Sequence, residues 1–383
     1  MKLGIDMTCV GEPFSRDTGK NKVIFNLLHG FRELGYASDI VVFAYDFLEN
    51  SIRRVIPGSK IITFCPVKIK RTLQNIFISA FQIPVHLHRN SVDLIFSPKS
   101  SSGVRKYKIP SVVLPHDIQS ISYPSRYSYM SRLIQSFFYN MDFRLRDKVI
   151  AISLYDKNEI AKYYPQWAHK IKMIYNPVIF ANANIEAKDH DVPITKPYIL
   201  TINIAFKHKN TITLLKAFNK IKHKIAHNLV LVGNTSEETK HLERYVEDEN
   251  LSGRVLFTGY IDDIYLNKIL LNCDLYVNAS YYEGFGMTPI EAMGAGVPVI
   301  SSRETALLET TCGLAYYYEP AQDHNALAYK IIQVLLNPPE QNDLDEIRAN
   351  VRANYDYRKI AGDYWDFFSD QVKQHKFKSL KNL

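Results

Sequence analysis

Two glutamates eight residues apart, with glycines around the first, are the residues of this chain best placed to do chemistry. They lie in Ser280-Tyr-Tyr-Glu283-Gly284-Phe285-Gly286-Met287-Thr288-Pro289-Ile-Glu291-Ala-Met-Gly294-Ala-Gly296-Val-Pro298. An apolar run over Leu275–Asn278 reads as a strand feeding this turn. Pro289 then marks a helix start, with Thr288 expected as its N-cap. Gly284 and Gly286 let the backbone approach a ligand and aim its amides at it. The helix N-terminus beside them favours an anion such as a phosphate. Glu283 in the turn and Glu291 one turn into the helix can face one cavity, where carboxylates accept hydrogen bonds from sugar hydroxyls. Taken alone, these residues describe a site for a polyol phosphate. A tight strand-to-helix turn carrying two solvated glutamates accounts for them equally well.

Other elements must hold such a turn in place. Candidate strands at Lys2–Ile5, Ile40–Ala44, Leu94–Phe96, Val112–Leu114 and Val149–Ile152 are separated by helix-like segments such as Lys22–Leu34, apolar at Val23, Leu27, Phe31 and Leu34. The alternation restarts after the polar stretch Asn182–Pro197, with strands at Tyr198–Ile202, Leu229–Val232, Val255–Thr258, Leu275–Asn278 and Val297–Ser301, and a helix over Thr211–Ile221. Strands alternating with helices predict parallel sheets covered by helices. The expected fold class is therefore α/β, with two Rossmann-like, doubly wound parallel-sheet domains facing across a cleft that holds the ligand. The expected boundaries are 1–181, a linker at 182–197, 198–354, and a C-terminal helical segment at 355–383 that crosses back to the first domain.

Composition narrows the classes. A chain of 383 residues, 46% hydrophobic and 22% charged, is globular rather than disordered or collagen-like. No run approaches the roughly 18–20 apolar residues of a membrane span. Asp6 comes too early for a signal peptide's apolar core. Cys9, Cys65, Cys273 and Cys312 are scattered, which excludes a zinc ribbon or disulfide scaffold, suits a reducing cytoplasm, and leads to the expectation of four buried thiols.

The wider pattern resembles glycosyltransferase family 4, whose Glu-x7-Glu motif matches Glu283 and Glu291. Lys207-His208-Lys209-Asn210 looks like that family's Arg-Lys-Asn segment. Leu231-Val-Gly233 and Val255-Leu-Phe-Thr-Gly259-Tyr260 look like its next two strands. Pro115-His116-Asp117, Val149–Ser153 and Ile174-Tyr-Asn176-Pro177 resemble its N-terminal landmarks, and Gly19 stands where it has a glycine-rich loop. The resemblance implies a retaining enzyme of GT-B fold that uses a nucleotide-diphosphate sugar and needs neither metal nor cofactor. It implies that Glu283 meets the transferred sugar's hydroxyls, beside the Gly284, Phe285, Gly286 and Met287 backbone. Met287 and Thr288 would meet the diphosphate, Glu291 the ribose, and Lys209 the charge developing on the leaving group. His116 would reach the donor sugar, and Tyr260 would line the base pocket. Two positions depart from the pattern. Lys207 or His208 stands in for the arginine, and Thr18-Gly19-Lys20-Asn21-Lys22 lacks a paired glycine.

Charge is lopsided. Of the net +8, residues 1–180 carry 25 Lys and Arg against 13 Asp and Glu. That half would meet an anionic partner. Lys68–Phe81 reads as a basic amphipathic helix with Ile69, Leu73, Ile76, Phe77, Ala80 and Phe81 on one face. Packing of that face on the sheet is favoured over a membrane surface. Arg126–Lys148 is similarly basic and aromatic. With the resemblance, the asymmetry fits a lipid-diphosphate-linked glycan acceptor, an anionic membrane surface and a location at the cytoplasmic face of the cell membrane; no nucleic-acid module is recognisable. Asp189-His190-Asp191 has the form of an Asp-x-Asp metal site but falls in the linker, and Asp262 is expected to cap a surface helix. An enzyme with a soluble acceptor, a nucleotide-sugar 2-epimerase and a non-catalytic sugar-nucleotide-binding subunit stay open on the same fold.

Overall fold

In the computed structural model, which describes residues 1–11, 19–67, 70–99, 104–181 and 194–381, β-strands and α-helices alternate through two successive rounds. The chain divides into one unit of Met1–Val178 with Tyr355–Leu383 and a second of Ile179–Asn354.

The first unit begins β1 (Leu3–Asp6), α1 (Gly19–Glu33), β2 (Ile40–Tyr45), α2 (Glu49–Val55), β3 (Lys60–Phe64). A helical stretch follows as α3 (Arg71–Phe77), a π-helical turn (Ile78–Gln82) and α4 (Ile83–Arg89). Next come β4 (Leu94–Ser97), β5 (Ser111–Val113), α5 (Gln119–Ser122), α6 (Tyr129–Leu145), β6 (Lys148–Ala151), α7 (Leu154–Tyr163) and β7 (Ile171–Met173). The seven strands lie in the order β3-β2-β1-β4-β5-β6-β7, all parallel.

Parallel neighbours joined by right-handed crossovers put α1 and α2 on one face of this sheet, and the helices after β3, β5 and β6 on the other. Register agrees. Val41, Gly4 and Ile95 share one row, and Ser97, Val113 and Val149 share the row two residues further on, which points to the same face. Val41, Phe43, Tyr45 and Ile95 pack with Ile78, Ile83 and Leu87, and Val113, Val149 and Ala151 pack with Tyr139, Phe143 and Ile160. The opposite face holds α1 and the C-terminal helix. There Tyr36 stacks on Trp365 at 3.9 Å, and Phe96 meets Phe368 at 5.1 Å. Gly30 of α1 lies so close to that helix that an added Cβ would sit 2.5 Å from the Tyr357 carbonyl oxygen.

The second unit runs β8 (Tyr198–Ile202), α8 (Thr211–Ile221), β9 (Asn228–Val232), α9 (Glu237–Asp248), β10 (Val255–Gly259), α10 (Asp263–Asn272), β11 (Leu275–Asn278), α11 (Met287–Gly294), β12 (Val299–Ser302), α12 (Leu307–Thr310), β13 (Tyr316–Tyr318), α13 (His324–Leu336) and α14 (Gln341–Tyr355). Its parallel sheet has the order β10-β9-β8-β11-β12-β13. One apolar core joins Leu214, Leu215 and Phe218 of α8 to Ile199, Leu229, Leu231 and Val277 of the sheet and Leu327 and Ile331 of α13. The last helix, α15 (Tyr357–Lys381), belongs to the first unit.

Three expectations need correction. The helix after β11 starts at Met287 with Gly286, not Thr288, as its cap, because Gly286 takes the left-handed conformation (φ 83°) that turns the chain one residue earlier. In the helical stretch after β3, Leu73, Phe77 and Phe81 point outward while Gln74, Ile78 and Ala80 face inward. Both sides of this stretch carry apolar residues, so spacing alone could not say which side is the core; Lys68 and Ile69 lie outside the described residues. Among the cysteines only Cys273 is buried, and Cys65 is exposed. The Asp262 side chain does cap α10, accepting from the Tyr265 amide at 2.8 Å. Most of the linker, including Asp189-His190-Asp191, lies outside the described residues.

Candidate active site at the carboxyl ends of β8 and β11

In a doubly wound sheet, loops diverge where the strand order reverses, leaving a crevice for ligands. In the second unit that point is between β8 and β11. The loop after β8 carries Lys207, His208 and Lys209, and the turn after β11 carries Glu283. Lys209 Nζ donates to Glu283 Oε1 at 2.6 Å, with the side chains only 14% and 11% exposed. The sequence supplies the scaffold locally. Asn210, at φ 54°, ends the loop and turns the chain into α8. Its Nδ2 donates to the Ala279 and Ala321 carbonyls, and its Oδ1 accepts from Thr213. The Tyr281 amide donates to the His208 carbonyl at 2.8 Å, so the two loops are fastened to each other.

Hydroxyls hold the turn that bears Glu283. Thr305 Oγ1 donates to the Glu283 carbonyl and accepts from its amide, and Thr310 Oγ1 donates to the Phe285 carbonyl at 2.6 Å. Ser280 Oγ lies 2.7 Å from Glu283 Oε1 and 2.9 Å from Asn278 Oδ1, while Asn278 Nδ2 is buried without a partner. One hydroxyl proton cannot serve both oxygens. With the Asn278 amide turned over, Nδ2 donates to Ser280 Oγ and the Ser280 hydroxyl donates to Glu283, a chain that ends on the carboxylate.

Glu291 is buried on α11, the helix that the Glu283 turn leads into. Burial pushes the Tyr276 phenol on β11 well up, and the carboxylates of both Glu283 and Glu291 push it further. At the start of α11, Gly286 has a left-handed backbone (φ 83°), and an added Cβ would also lie 2.8 Å from Leu307 Cδ2. α11 starts there without a side-chain cap, so the amides of its first turn, at Met287 and Thr288, are the ones a bound anion would meet. Gly284 and Phe285 are buried in the turn itself. Lys207 is exposed, His208 is buried with its ring 5.7 Å from Phe206, and Tyr260, after the edge strand β10, is 58% exposed.

His116 and Gly19 belong to the first unit. Gly19 opens α1 and is exposed. His116 is buried at a left-handed backbone position (φ 68°), an outlier of the kind concentrated at functional sites. Its Nε2 donates to the Pro98 carbonyl at 2.7 Å, which leaves Nδ1 as an acceptor in the neutral ring. Burial, with Lys20 and Lys99 nearby, pushes its pKa down to about 3, so the ring is neutral at pH 7. Among the described residues, no three His, Cys, Asp or Glu side chains gather as a metal-binding group.

Two family models match successive stretches of the chain: "Glycosyltransferase Family 4" over residues 18–181 and "Glycosyl transferases group 1" over residues 183–351. The chain belongs to the family-4-type GT-B glycosyltransferases. Among curated members it is 29% identical to the O-antigen chain mannosyltransferase RfbU of Salmonella typhimurium, over 54% of this chain and 55% of that one. It is 28% identical to the N,N'-diacetylbacillosaminyl-diphospho-undecaprenol alpha-1,3-N-acetylgalactosaminyltransferase of Campylobacter jejuni, over 56% and 52%. The matches thus span about half the length of these relatives. In fold it is similar to Anabaena HepE in complex with UDP and glucose, with a TM-score of 0.71, 17% identity, and 97% and 100% of the two chains covered.

Within this GT-B glycosyltransferase, the second unit brings Lys209, Glu283, Gly284, Phe285, Gly286, Met287, Thr288 and Glu291 together around the ends of β8 and β11. It leaves Lys207 and Tyr260 at the surface. Sequence reasoning overlooked the roles of Asn210, Asn278, Ser280, Thr305 and Thr310. Only Asn278 and Ser280 carry a local signal, as small polar residues at the end of β11, where the orphan backbone groups of a tight turn need partners.

Proposed function

We propose that the protein moves a sugar from a nucleotide-diphosphate sugar to a hydroxyl of a lipid-linked glycan acceptor in polysaccharide biosynthesis, with retention at the anomeric carbon and without a metal ion. The observation that carries this is the Lys209–Glu283 pair beside the open amides of α11. A cation and a helix N-terminus suit a diphosphate, and the carboxylate next to them suits the hydroxyls of the sugar attached to it. Glu291, one turn into α11, would hold the ribose hydroxyls. His116, neutral and with Nδ1 as acceptor, would take a hydrogen bond from the donor sugar. Lys207 or His208 replaces the family's arginine, with no bidentate fork.

In this reading the bond between the anomeric carbon and the diphosphate oxygen breaks, and a bond to the acceptor oxygen forms on the same face. The acceptor's proton passes to the departing phosphate. Lys209 and the α11 amides stabilise the charge that develops on the leaving group, a fixed electrostatic contribution that needs no reorganisation during the reaction. Glu283 positions the sugar and forms no covalent bond. The names of the Salmonella and Campylobacter relatives support a glycan acceptor, the latter a diphospho-undecaprenol-linked one, and the UDP-bound neighbour supports a nucleotide donor. The protein would then work at the cytoplasmic face of the cell membrane.

Incubating the protein with radiolabelled nucleotide sugars and extracted membrane lipid tests this in the presence of EDTA. Label should enter the lipid fraction in an α-linkage from an α-linked donor, and Lys209→Ala should abolish it. Inverted product, transfer only when a divalent cation is restored, or transfer only to soluble sugars would contradict the corresponding part of the reading.

A further inference from the structure

The outer surface of the α3–α6 face of the first sheet is apolar and basic where a solvated surface would be mixed. Leu73, Phe77, Phe81 and Val85 follow one another at four-residue intervals and are 47–59% exposed. In a plain α-helix of about 3.6 residues per turn, such a row would drift about 40° at each step. The π-helical turn at Ile78–Gln82 winds more slowly and straightens the row into one stripe. On α6, Tyr129, Met130, Leu133, Ile134 and Phe137 form a second exposed stripe, 48–69% exposed. The crossover and register rules above put both helices on the same face of the sheet. The stripe on α3–α4 runs on into an open hollow of about 400 Å³ against edge strand β3, lined by Ile62, Phe64, Phe81 and Val85.

The residues around the stripes are predominantly basic. From Cys65 to Arg146 the sequence has twelve Lys and Arg against three acids, Asp93, Asp117 and Asp142. Asp142 is buried, and no acid lies between Arg71 and Arg89. Lys70, Arg105, Lys106, Lys108, Arg126 and Arg144 are all exposed around the two stripes. The 105–108 segment is tied to the π-helical turn, through Arg105 donating to the Ala80 carbonyl and Tyr107 to that of Ser79.

We propose that this two-helix face is a docking surface for an anionic lipid bilayer, with the α3–α4 and α6 stripes inserted at the headgroup level and the basic rim on the lipid phosphates. Two apolar stripes rich in aromatic residues, ringed by cations, have the composition of an interfacial anchor. A second copy of the chain fits less well, because pairing this face with itself would set two cationic rims against each other. The proposal deepens the lipid-linked-acceptor reading and rests on it for its purpose, since such an acceptor is met at a bilayer.

Co-sedimentation with phosphatidylglycerol vesicles and with phosphatidylcholine vesicles tests it, using the full chain, Phe77→Ser/Phe81→Ser and Leu133→Ser/Phe137→Ser. The parent should bind the anionic vesicles at least tenfold more tightly than the neutral ones, and more weakly at high salt. Each double variant should lose at least tenfold of that binding while keeping the parent's far-ultraviolet circular dichroism and its thermal shift with nucleotide sugar. Vesicle binding that neither variant changes, or no preference for anionic lipid, would overturn the proposal. So would variants that convert a dimer to a monomer in sedimentation velocity while vesicle binding persists. Loss of the nucleotide-sugar shift in the parent with vesicle binding retained would instead count against the activity and leave the docking face standing.

Discussion

Lys209 and Glu283 are paired at 2.6 Å with little access to water, so each charge depends on the other. Removing one leaves the other uncompensated, which for a buried pair costs about 3–5 kcal/mol. Lys209→Ala should therefore lower the unfolding midpoint as well as kcat, the latter by about 10²–10³-fold if Lys209 faces the leaving group. Ser280→Ala removes the donor to Glu283 together with the partner of Asn278, and should reduce kcat by about ten- to a hundredfold, with the nucleotide Kd unchanged. Steady-state kinetics with nucleotide titrations separate the two cases, and a Ser280→Ala enzyme at parent rate would make the Asn278–Ser280–Glu283 chain structural only. His116 predicts a pH effect of definite sign. Its folded pKa is depressed to about 3 from an unfolded value near 6.5, so between those values the unfolded chain binds more protons and stability rises with pH. Asp156, whose buried carboxyl is pushed well up, contributes with the opposite sign. The difference between parent and His116→Asn isolates the histidine. Urea midpoints should show the parent losing up to about 1.4 kcal/mol more per unit as pH falls from 6.5, and parallel curves would contradict the neutral buried ring. At this scale Glu283, Glu291 and Lys209 were legible because their types and spacing are unusual. The hydroxyls of Thr305 and Thr310 were not, since nothing in a threonine's neighbours along the chain reveals a partner more than twenty residues away.

At the scale of elements, α11 is the critical part, and its start depends on one glycine. Gly286→Ala would place a Cβ at a left-handed backbone position and within 2.8 Å of Leu307. The backbone penalty alone is about 1–2 kcal/mol. The thermal midpoint should fall by several degrees, and nucleotide affinity should weaken with it, because the α11 amides shift. A variant with the parent's midpoint would mean that the turn relaxes freely. Sequence periodicity identified the strands and helices around this site because they are buried and regular: β11 and α8 have the predicted bounds. It missed β3, β7 and β13, which are short or partly exposed and sit at or beside sheet edges, where half-burial weakens the alternation signal. It also missed the outward turn of Leu73, Phe77 and Phe81, because a stretch apolar on both sides has two equally good inward faces.

At the scale of the molecule, restarting β-α alternation announced two parallel sheets, and the family models cover both. Strand order was not legible, because pairing depends on contacts between residues distant in sequence. Yet that order, β8 beside β11, is what brings Lys209 to Glu283. Part of the excess positive charge of residues 1–180 gained a location only with the structure, on and beside the helices that leave their apolar stripes uncovered. The central claim is that the ends of β8 and β11 form a nucleotide-diphosphate-sugar site, and ligand-induced thermal stabilisation tests it most directly. Screening UDP-, GDP-, dTDP- and ADP-sugars with EDTA present should give a selective rise in midpoint for one nucleotide, lost in Glu291→Ala. No rise with any of them, or a rise that Glu291→Ala leaves unchanged, would contradict the account.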